Sequence, residues 1–465
     1  MAALLLVSLG AIILTANAQM DLVFDDRLAV ATALMETHPL AGFNPVHHSG
    51  PASPYFRAPS QAGLSYDTPE GCVVDQAAYF VRHGTAANQQ RVVDTATYFV
   101  RGYLSQGNYI NNTNLNRGTV ITLPDSAVNT TFADSVTPSS SCPAYGPPSQ
   151  LGSTNSNLWR STFQNRTAAR LNTFLDGLVL NATDIGVMQD LCGFEFSING
   201  DTTWCKVFEP EEWRDYEYAA DLNYYWGSGP GNPLSATNGW PWVKAISDLF
   251  VVGPGKTVAN GTLTPPPLIV AMTHDNNMPP VLAALGLWNS TTTFPGETET
   301  NYPLPVTRRI TDPTRFFHST YLVSFLGHIA LERMTCTIDG TTLQQRQQQG
   351  IVHKANIFGG TFNITNSKAF QGTNHTFVRV RVNDAPFPFP VCDSGPGSSC
   401  PLENFTSLVN GQMKEVCGDF VERCGLQGVK GATSVMSFLT TAGDGESQLI
   451  GVEGTPKGPA SPDSP

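Results

Sequence analysis

Apolar and polar positions change their period several times along the chain. Val74 to Val81 is a short apolar run, rich in residues that suit a sheet, and predicts a buried strand. Just beyond it, Val92, Ala96, Phe99, Val100 and Tyr103 recur at helical spacing. The switch places Arg82, His83 and Gly84 on a turn that leaves the carboxyl end of a strand and enters a helix. Leu268 to Met272 predicts a second buried strand, Thr273 to Asn277 its exit turn, and a helix opens near Pro279 with Val281, Leu282, Leu285 and Leu287 as its apolar positions. Phe377 to Val382 alternates strictly, the pattern of a strand with one polar face. Phe316 to Met334 reads as a long apolar helix, and Leu171, Phe174, Leu175 and Leu178 as the stripe of another helix beginning near Arg160. Strand, helix and strand in this order predict an α/β sheet with helices on both faces.

Between these elements the composition sets boundaries. Residues 1–18 have the form of a signal peptide: Leu4 to Leu14 is apolar and too short for a comfortable membrane span, and Ala16-Asn17-Ala18 supplies a small-x-small cleavage site. Residues 19–70, rich in Pro, Gly and Ser, form an N-terminal arm. Residues 71–105 and 255–440 make the α/β core, joined by a helix over 160–180. Residues 106–254 are mostly an inserted α-helical cap, and the polar 441–465 is expected to be a disordered tail.

The net charge of −12 argues against nucleic acid or anionic lipid as a partner, since either needs a basic face. It leaves room for a phosphorylated small molecule, because a few arginines in one pocket override the global field. Asn-x-Ser/Thr sequons at Asn111, Asn129, Asn165, Asn181, Asn260, Asn289, Asn363, Asn374 and Asn404 predict N-glycans on a secreted, extracellular protein without a membrane span. Nine cysteines, none in a zinc-type CxxC pair, point to disulfides rather than metal, with one thiol left over.

His83 and His274 each follow a buried strand. Ligands of open α/β sheets bind beyond the carboxyl ends of the strands. Arg82 offers a guanidinium fork for phosphate oxygens, Gly84 permits close backbone approach, and Asp275 offers a carboxyl group that can protonate a leaving oxygen. Together they suit phosphoryl transfer: a neutral imidazole attacks phosphorus, cationic donors stabilise the spread charge, and a carboxylic acid protonates the departing alkoxide. No metal or other cofactor is needed for this chemistry.

Tyr79-Phe80-Val81-Arg82-His83-Gly84 and Thr273-His274-Asp275-Asn276 resemble the two motifs of the histidine acid phosphatases, nearest to the phytase-like fungal members. Ser53-Pro54-Tyr55-Phe56, the run from Cys205 to Trp213, Tyr224-Tyr225-Trp226-Gly227 and Val380 to Asp384 extend the likeness over roughly residues 50 to 425. The resemblance implies a phosphoglycerate mutase-like α/β sandwich carrying a smaller inserted α-helical domain. It also implies His83 as nucleophile, Asp275 as proton donor with His274 beside it, and Arg82 with Gly84 at the phosphate. In that family an arginine opens a helix with Phe eight and Gly eleven residues on. Arg166, Phe174 and Gly177 match, which makes Arg166 the expected second clamp and the Asn165 sequon one that should stay bare. The pairs implied are Cys72–Cys336, Cys192–Cys205 and Cys392–Cys400, with Cys142, Cys417 and Cys424 unassigned.

One departure matters. The family continues Arg-His-Gly-x-Arg-x-Pro, whereas this chain has Thr85, Ala86, Ala87 and Asn88. Loss of one charge-assisted phosphate contact costs about 1.5–3 kcal/mol, or roughly 10- to 150-fold in the step that uses it. Asn88, or Arg91 one turn on, is the candidate replacement. The expected function is a secreted acid phosphatase for phosphate monoesters, with phytate among the candidate substrates. The alternatives are an impaired family member that binds phosphorylated ligands or serves as a surface glycoprotein, and a phosphomutase, against which export, disulfides and the His-Asp pair argue.

Overall fold

The computed structural model describes residues 42–60, 63–84, 90–105, 117–122, 131–256, 264–288, 304–307, 317–337, 356–357, 360–361, 374–389, 392–440 and 446–451. The leader, Ala86, Asn88 and the sequons at Asn111, Asn129, Asn260, Asn289 and Asn363 lie outside these residues. In chain order the chief elements are β1 (Cys72–Arg82), α1 (Gln90–Ser105), β2 (Arg117–Thr122), α2 (Gly146–Asn172), α3 (Ala182–Asn199), α4 (Pro210–Gly227), α5 (Ser235–Val252), β3 (Leu268–Thr273), α6 (Met278–Ala284), β4 (His328–Thr337), β5 (Asn374–Val382), β6 (Ala385–Phe387), β7 (Cys400–Pro401) and β8 (Glu446–Gly451).

The chain divides into two compact units. The smaller comprises residues 1–39, 86–123 and 443–465, and its described elements are α1 and an antiparallel β2–β8 pair. Part of the segment expected to be a disordered tail is thus a strand: Glu446 to Gly451 pairs residue for residue with Thr122 to Arg117.

The larger unit, residues 40–85 and 124–442, holds a mixed sheet in the order β3-β1-β4-β5-β6, with β7 also on β5. Only the β1–β3 pair is parallel. Ala77 to Val81 are all buried, because β1 has strands on both edges and packing on both faces; such a strand shows an apolar run in place of alternation. The main core is continuous from the sheet, through Phe80, Ile329 and Val380, to α2 and α4–α6, through Phe163, Tyr218, Trp242 and Leu282.

Phe316 to Met334 is not one long helix. A single turn, Thr320–Val323, gives way to β4 at His328. Its apolar positions are too dense for their period to separate buried helix from buried strand, and here pairing with β1 and β5 on either edge decides. The helix expected near Arg160 starts earlier, at Gly146, and stops at Asn172. Phe174 and Leu178 therefore lie past its end, 77% and 58% exposed. Its buried stripe is Gly152, Ser156, Trp159, Phe163, Thr167 and Leu171, half of it small or polar, so hydrophobicity alone understates it. Gly152 is required there, since a Cβ would stand 2.3 Å from the Asn223 carbonyl oxygen of α4.

The three implied disulfides are present, and a fourth joins Cys142 to Cys424, leaving Cys417 as a buried thiol pushed up to about 12 by burial. Among the described residues no helix is long and apolar enough to cross a membrane.

The N-terminal arm is fixed by specific contacts. Phe325 N–H donates to Ser53 O at 2.9 Å, and His48 Nδ1 lies 3.0 Å from Glu217 of α4. His318 Nδ1 faces the other Glu217 oxygen at 3.4 Å. Burial pushes Glu217 up, but these two imidazoles outweigh it and hold the carboxyl well below its ordinary value. His47, stacked on Phe56 at 4.1 Å, is pushed down to about 4 by burial and by its neighbour His48.

Two outcomes follow from this packing. Gly239 of α5 lies so close to α6 that a Cβ would stand 1.9 Å from the Pro280 carbonyl oxygen. Gly239→Ala is expected to lower stability by about 1–3 kcal/mol, measured by denaturant unfolding. His47 has a folded value below its unfolded one, so between pH 6.5 and about 4 the unfolded chain binds a proton that the folded chain refuses. Stability should fall across that window by up to about 3 kcal/mol, and His47→Gln should flatten the fall.

Candidate active site

The site is built by the parallel β1–β3 pair. Its register sets Arg82 opposite Thr273, so the residues that follow on each strand emerge side by side at one end of the sheet. His83 N–H donates to Thr273 O at 3.0 Å, and the His83 and His274 rings meet edge to face with centroids 5.3 Å apart. Four residues expected from two distant motifs, Arg82, His83, His274 and Asp275, thus share one corner, with Gly84 next along the chain.

His83 is buried, 5% exposed, and its Nδ1 lies 2.6 Å from the Gly84 carbonyl oxygen. A carbonyl only accepts, so the neutral ring carries its proton on Nδ1 and keeps the lone pair on Nε2. Gly84 thus sets the tautomer, with Nε2 the unprotonated ring atom.

Arg82 is held through both of its terminal nitrogens. Its Nη1 donates to the Pro51 carbonyl of the arm and to the Val323 carbonyl, and its carbon Cζ lies 4.6 Å from the centre of the Phe325 ring. Nη2 faces Asp275 Oδ2 at 3.2 Å. Two carbonyls thus lock one edge of the guanidinium and turn the other towards the reacting corner.

Asp275 opens the turn after β3. Its Oδ1 accepts from the Asn276 N–H at 2.8 Å, and Tyr224 of α4 lies near the carboxylate. Burial pushes this carboxyl up, but Arg82, Tyr224, His83 and the Asn276 amide together prevail and hold it below its ordinary value. Neighbouring hydroxyls brace the turn: Thr273 Oγ1 donates to Val136 O at 2.7 Å and Ser139 Oγ to Asn277 Oδ1 at 3.0 Å.

Arg166 is not brought to this corner. It lies near the carboxyl end of α2, its side chain 71% exposed and 3.5 Å from Asp215. It makes no contact with Arg82, His83 or Asp275 among the described residues. Asn165 beside it is also exposed, so the steric reason for a bare sequon is removed. The spacing that singled out Arg166 occurs a second time. Arg91, Phe99 and Gly102 stand at the same intervals, Arg91 is the second residue of α1, and Phe99 is buried. Tyr224 is a site residue that the sequence reading passed over. It lies in the Tyr224-Tyr225-Trp226-Gly227 run that carried resemblance, without any sign of which ring turns inward.

The chain matches the histidine phosphatase superfamily (branch 2) over residues 76–383 and belongs to that family. It is 29% identical over 349 residues to acid phosphatase PHO1 of Komagataella pastoris, covering 73% of this chain and 59% of the relative. It is 24% identical over 370 residues to a repressible acid phosphatase of Saccharomyces cerevisiae, covering 78% and 64%. The chain therefore spans about three-fifths of the length of these relatives. Among solved structures, the phytase from D. castellii shares the fold with a TM-score of 0.61 at 18% identity, covering 85% of this chain and 90% of the other.

Arg82 and Arg166 can be separated by affinity for inorganic phosphate, measured calorimetrically. Arg82→Ala should weaken binding roughly 10- to 150-fold, as loss of a charge-assisted clamp does. Arg166→Ala should change it less than about fivefold, the worth of an exposed ion pair.

Proposed function

We propose that this chain is a phosphoric monoester hydrolase of the acid phosphatase type, working through a phosphohistidine on His83 with Asp275 as proton donor. The observation that carries this reading is the meeting of His83 Nε2, the locked Arg82 guanidinium and the Asp275 carboxyl at the joined ends of β1 and β3.

Nε2 attacks phosphorus as the ester P–O bond breaks, and the departing alkoxide takes the proton of Asp275. Water then attacks phosphorus, the P–N bond breaks, and Asp275 takes the proton that water loses. Free phosphate leaves and the site is restored. Before substrate binds, Asp275 is held ionised, chiefly by Arg82. An arriving phosphate dianion shares Arg82 Nη2 and brings negative charge beside the carboxylate, and both effects drive Asp275 towards its protonated, proton-giving form. The substrate itself thus arms the acid.

The substrate class is broad phosphate monoesters, phytate included as a candidate. Extracellular placement accords with the four disulfides and with exposed sequons at Asn165, Asn181 and Asn374.

Phosphate release from p-nitrophenyl phosphate and from phytate, followed from acidic to neutral pH, tests the reading. His83→Ala should abolish release, and Asp275→Asn should lower kcat about 10²- to 10⁴-fold on alkyl phosphates. A folded wild-type protein that releases no phosphate from either substrate would overturn it in favour of phospho-ligand binding.

A further inference from the structure

The two carbonyls that grip Arg82 come from different segments of chain. Pro51 belongs to the arm and Val323 to the single helical turn before β4, and the Phe325 ring of that second segment lies 4.6 Å from the guanidinium carbon. Both segments are hooked to one buried side chain, Glu217 of α4. On the arm, His48 Nδ1 lies 3.0 Å from Glu217 Oε2. On the segment before β4, His318 Nδ1 lies 3.4 Å from Glu217 Oε1, and the Thr320 hydroxyl donates to the same oxygen at 3.3 Å. Thr320 Oγ1 in turn accepts from the Gly50 N–H at 3.1 Å. The arm is therefore held by the carboxylate directly at His48 and through Thr320 at Gly50, and Pro51 is the next residue.

There is little slack between these hooks. A Cβ on Gly50 would stand 2.8 Å from the Ala220 Cβ, so the arm lies directly on the helix that carries Glu217. Ser53 O accepts from the Phe325 N–H at 2.9 Å, which ties the arm to the second segment just beyond Pro51. A guanidinium keeps one pose only where the carbonyls it donates to are themselves fixed, and a donor fixed in advance needs no reorganisation when the anion arrives. We propose that Glu217 is a positioning residue for Arg82: by holding the arm and the segment before β4 together, it aims the guanidinium at the phosphate of the substrate. The inference rests on the proposed phosphatase reading and deepens it. Glu217 acts through Pro51 and Val323 and takes no part in moving the phosphoryl group or a proton.

Three consequences separate this role from simple packing. A bound phosphate and the transition state present similarly charged oxygens to Arg82, so its orientation serves both, and losing it raises KM while kcat holds. A site that merely loosened would also misplace His83 and Asp275 and lose kcat. His48→Ala unhooks the arm. It should raise KM for p-nitrophenyl phosphate and Kd for inorganic phosphate about 3- to 10-fold, the worth of one hydrogen bond, with kcat within about twofold. His48→Asn puts an amide N–H close to where Nδ1 stood, and should restore most of the loss. In an Arg82→Ala background, His48→Ala should change the phosphate Kd by less than about twofold, because the group it positions is gone.

The experiment is calorimetry with inorganic phosphate, and initial rates on p-nitrophenyl phosphate, for wild type, His48→Ala, His48→Asn, Glu217→Gln and the Arg82→Ala pair, with Asp75→Asn and His83→Ala alongside. Glu217→Gln should raise KM and Kd as His48→Ala does; should it fold poorly, the His48 variants, on a side chain 25% exposed, carry the test. Asp75→Asn breaks the pair with Arg333 near the start of β1, away from Arg82, and should leave phosphate affinity unchanged. A matching fall in kcat, no recovery in His48→Asn, or an undiminished loss in the Arg82→Ala background overturns the Glu217 role. Activity that survives His83→Ala overturns the phosphohistidine reading instead, and the calorimetric comparison, which needs no turnover, still decides the Glu217 role. A folded wild type that binds no phosphate overturns both.

Discussion

The parallel pairing of β1 with β3 is the constraint on which the rest of the site depends. The two strands are separated by nearly two hundred residues of chain, and nothing local holds their ends together. Their register, Arg82 against Thr273, makes the next residues neighbours. A slip of one residue would send every side chain of one strand to the opposite face and part His83 from His274. The β1 edge not used by β3 is taken by β4, where Cys72 lies opposite Cys336 and is joined to it. One strand is thereby fixed from both sides, and His83 follows directly from its end.

Arg82 shows how the larger unit converts that register into chemistry. A guanidinium buried beside one carboxylate would be attracted to it and could settle in several poses. Here the Pro51 and Val323 carbonyls occupy Nη1, and Phe325 lies against the plane. Nη2 is thereby turned to Asp275. Orientation fixed in advance costs no reorganisation when charge develops, which is how a few donors in a dry corner stabilise a transition state. The arm that supplies Pro51 thus helps to orient Arg82 as well as covering it.

Helix α4 ties these parts together through one of its faces. Glu217, Asp221 and Tyr224 recur at intervals of four and three residues and so point the same way. Glu217 takes His48 of the arm and His318; Asp221 accepts from the Ser319 N–H and hydroxyl, both at 2.7 Å; Tyr224 lies near Asp275. Buried carboxylates are costly unless each lone pair finds a donor. This face meets that demand by joining the arm and the segment before β4 to a single helix. The same groups make the unit sensitive to acid, since Glu217 contributes stability above its unfolded value and loses it as pH falls through its lowered folded value.

Much of this was legible in the sequence, for a physical reason. Short apolar runs ending in Arg-His-Gly and Thr-His-Asp carry their own signal, because a buried strand needs apolar residues and the residues after its end are released into the crevice. Family likeness, not local pattern, implied three of the four disulfides, Cys72–Cys336 across 264 residues among them. What failed were features in which one stretch of chain does not contain its own partner. Phe316 to Met334 became a turn and a strand because β1 and β5 flank it. α2 buries Gly152, Ser156 and Thr167 because α4 comes close, and apolar periodicity does not register such a face. Arg166 has the right spacing, but it sits near the end of a helix and faces Asp215. Cys142 found Cys424 across 282 residues, and Tyr224 found Asp275. The sequence by itself determined which side chains could carry phosphoryl transfer and where the strands that present them lie, since these depend on residue type and local period. Tertiary structure alone decided which arginine, tyrosine and carbonyls stand around them, since those contacts are set by the packing of segments far apart in the chain.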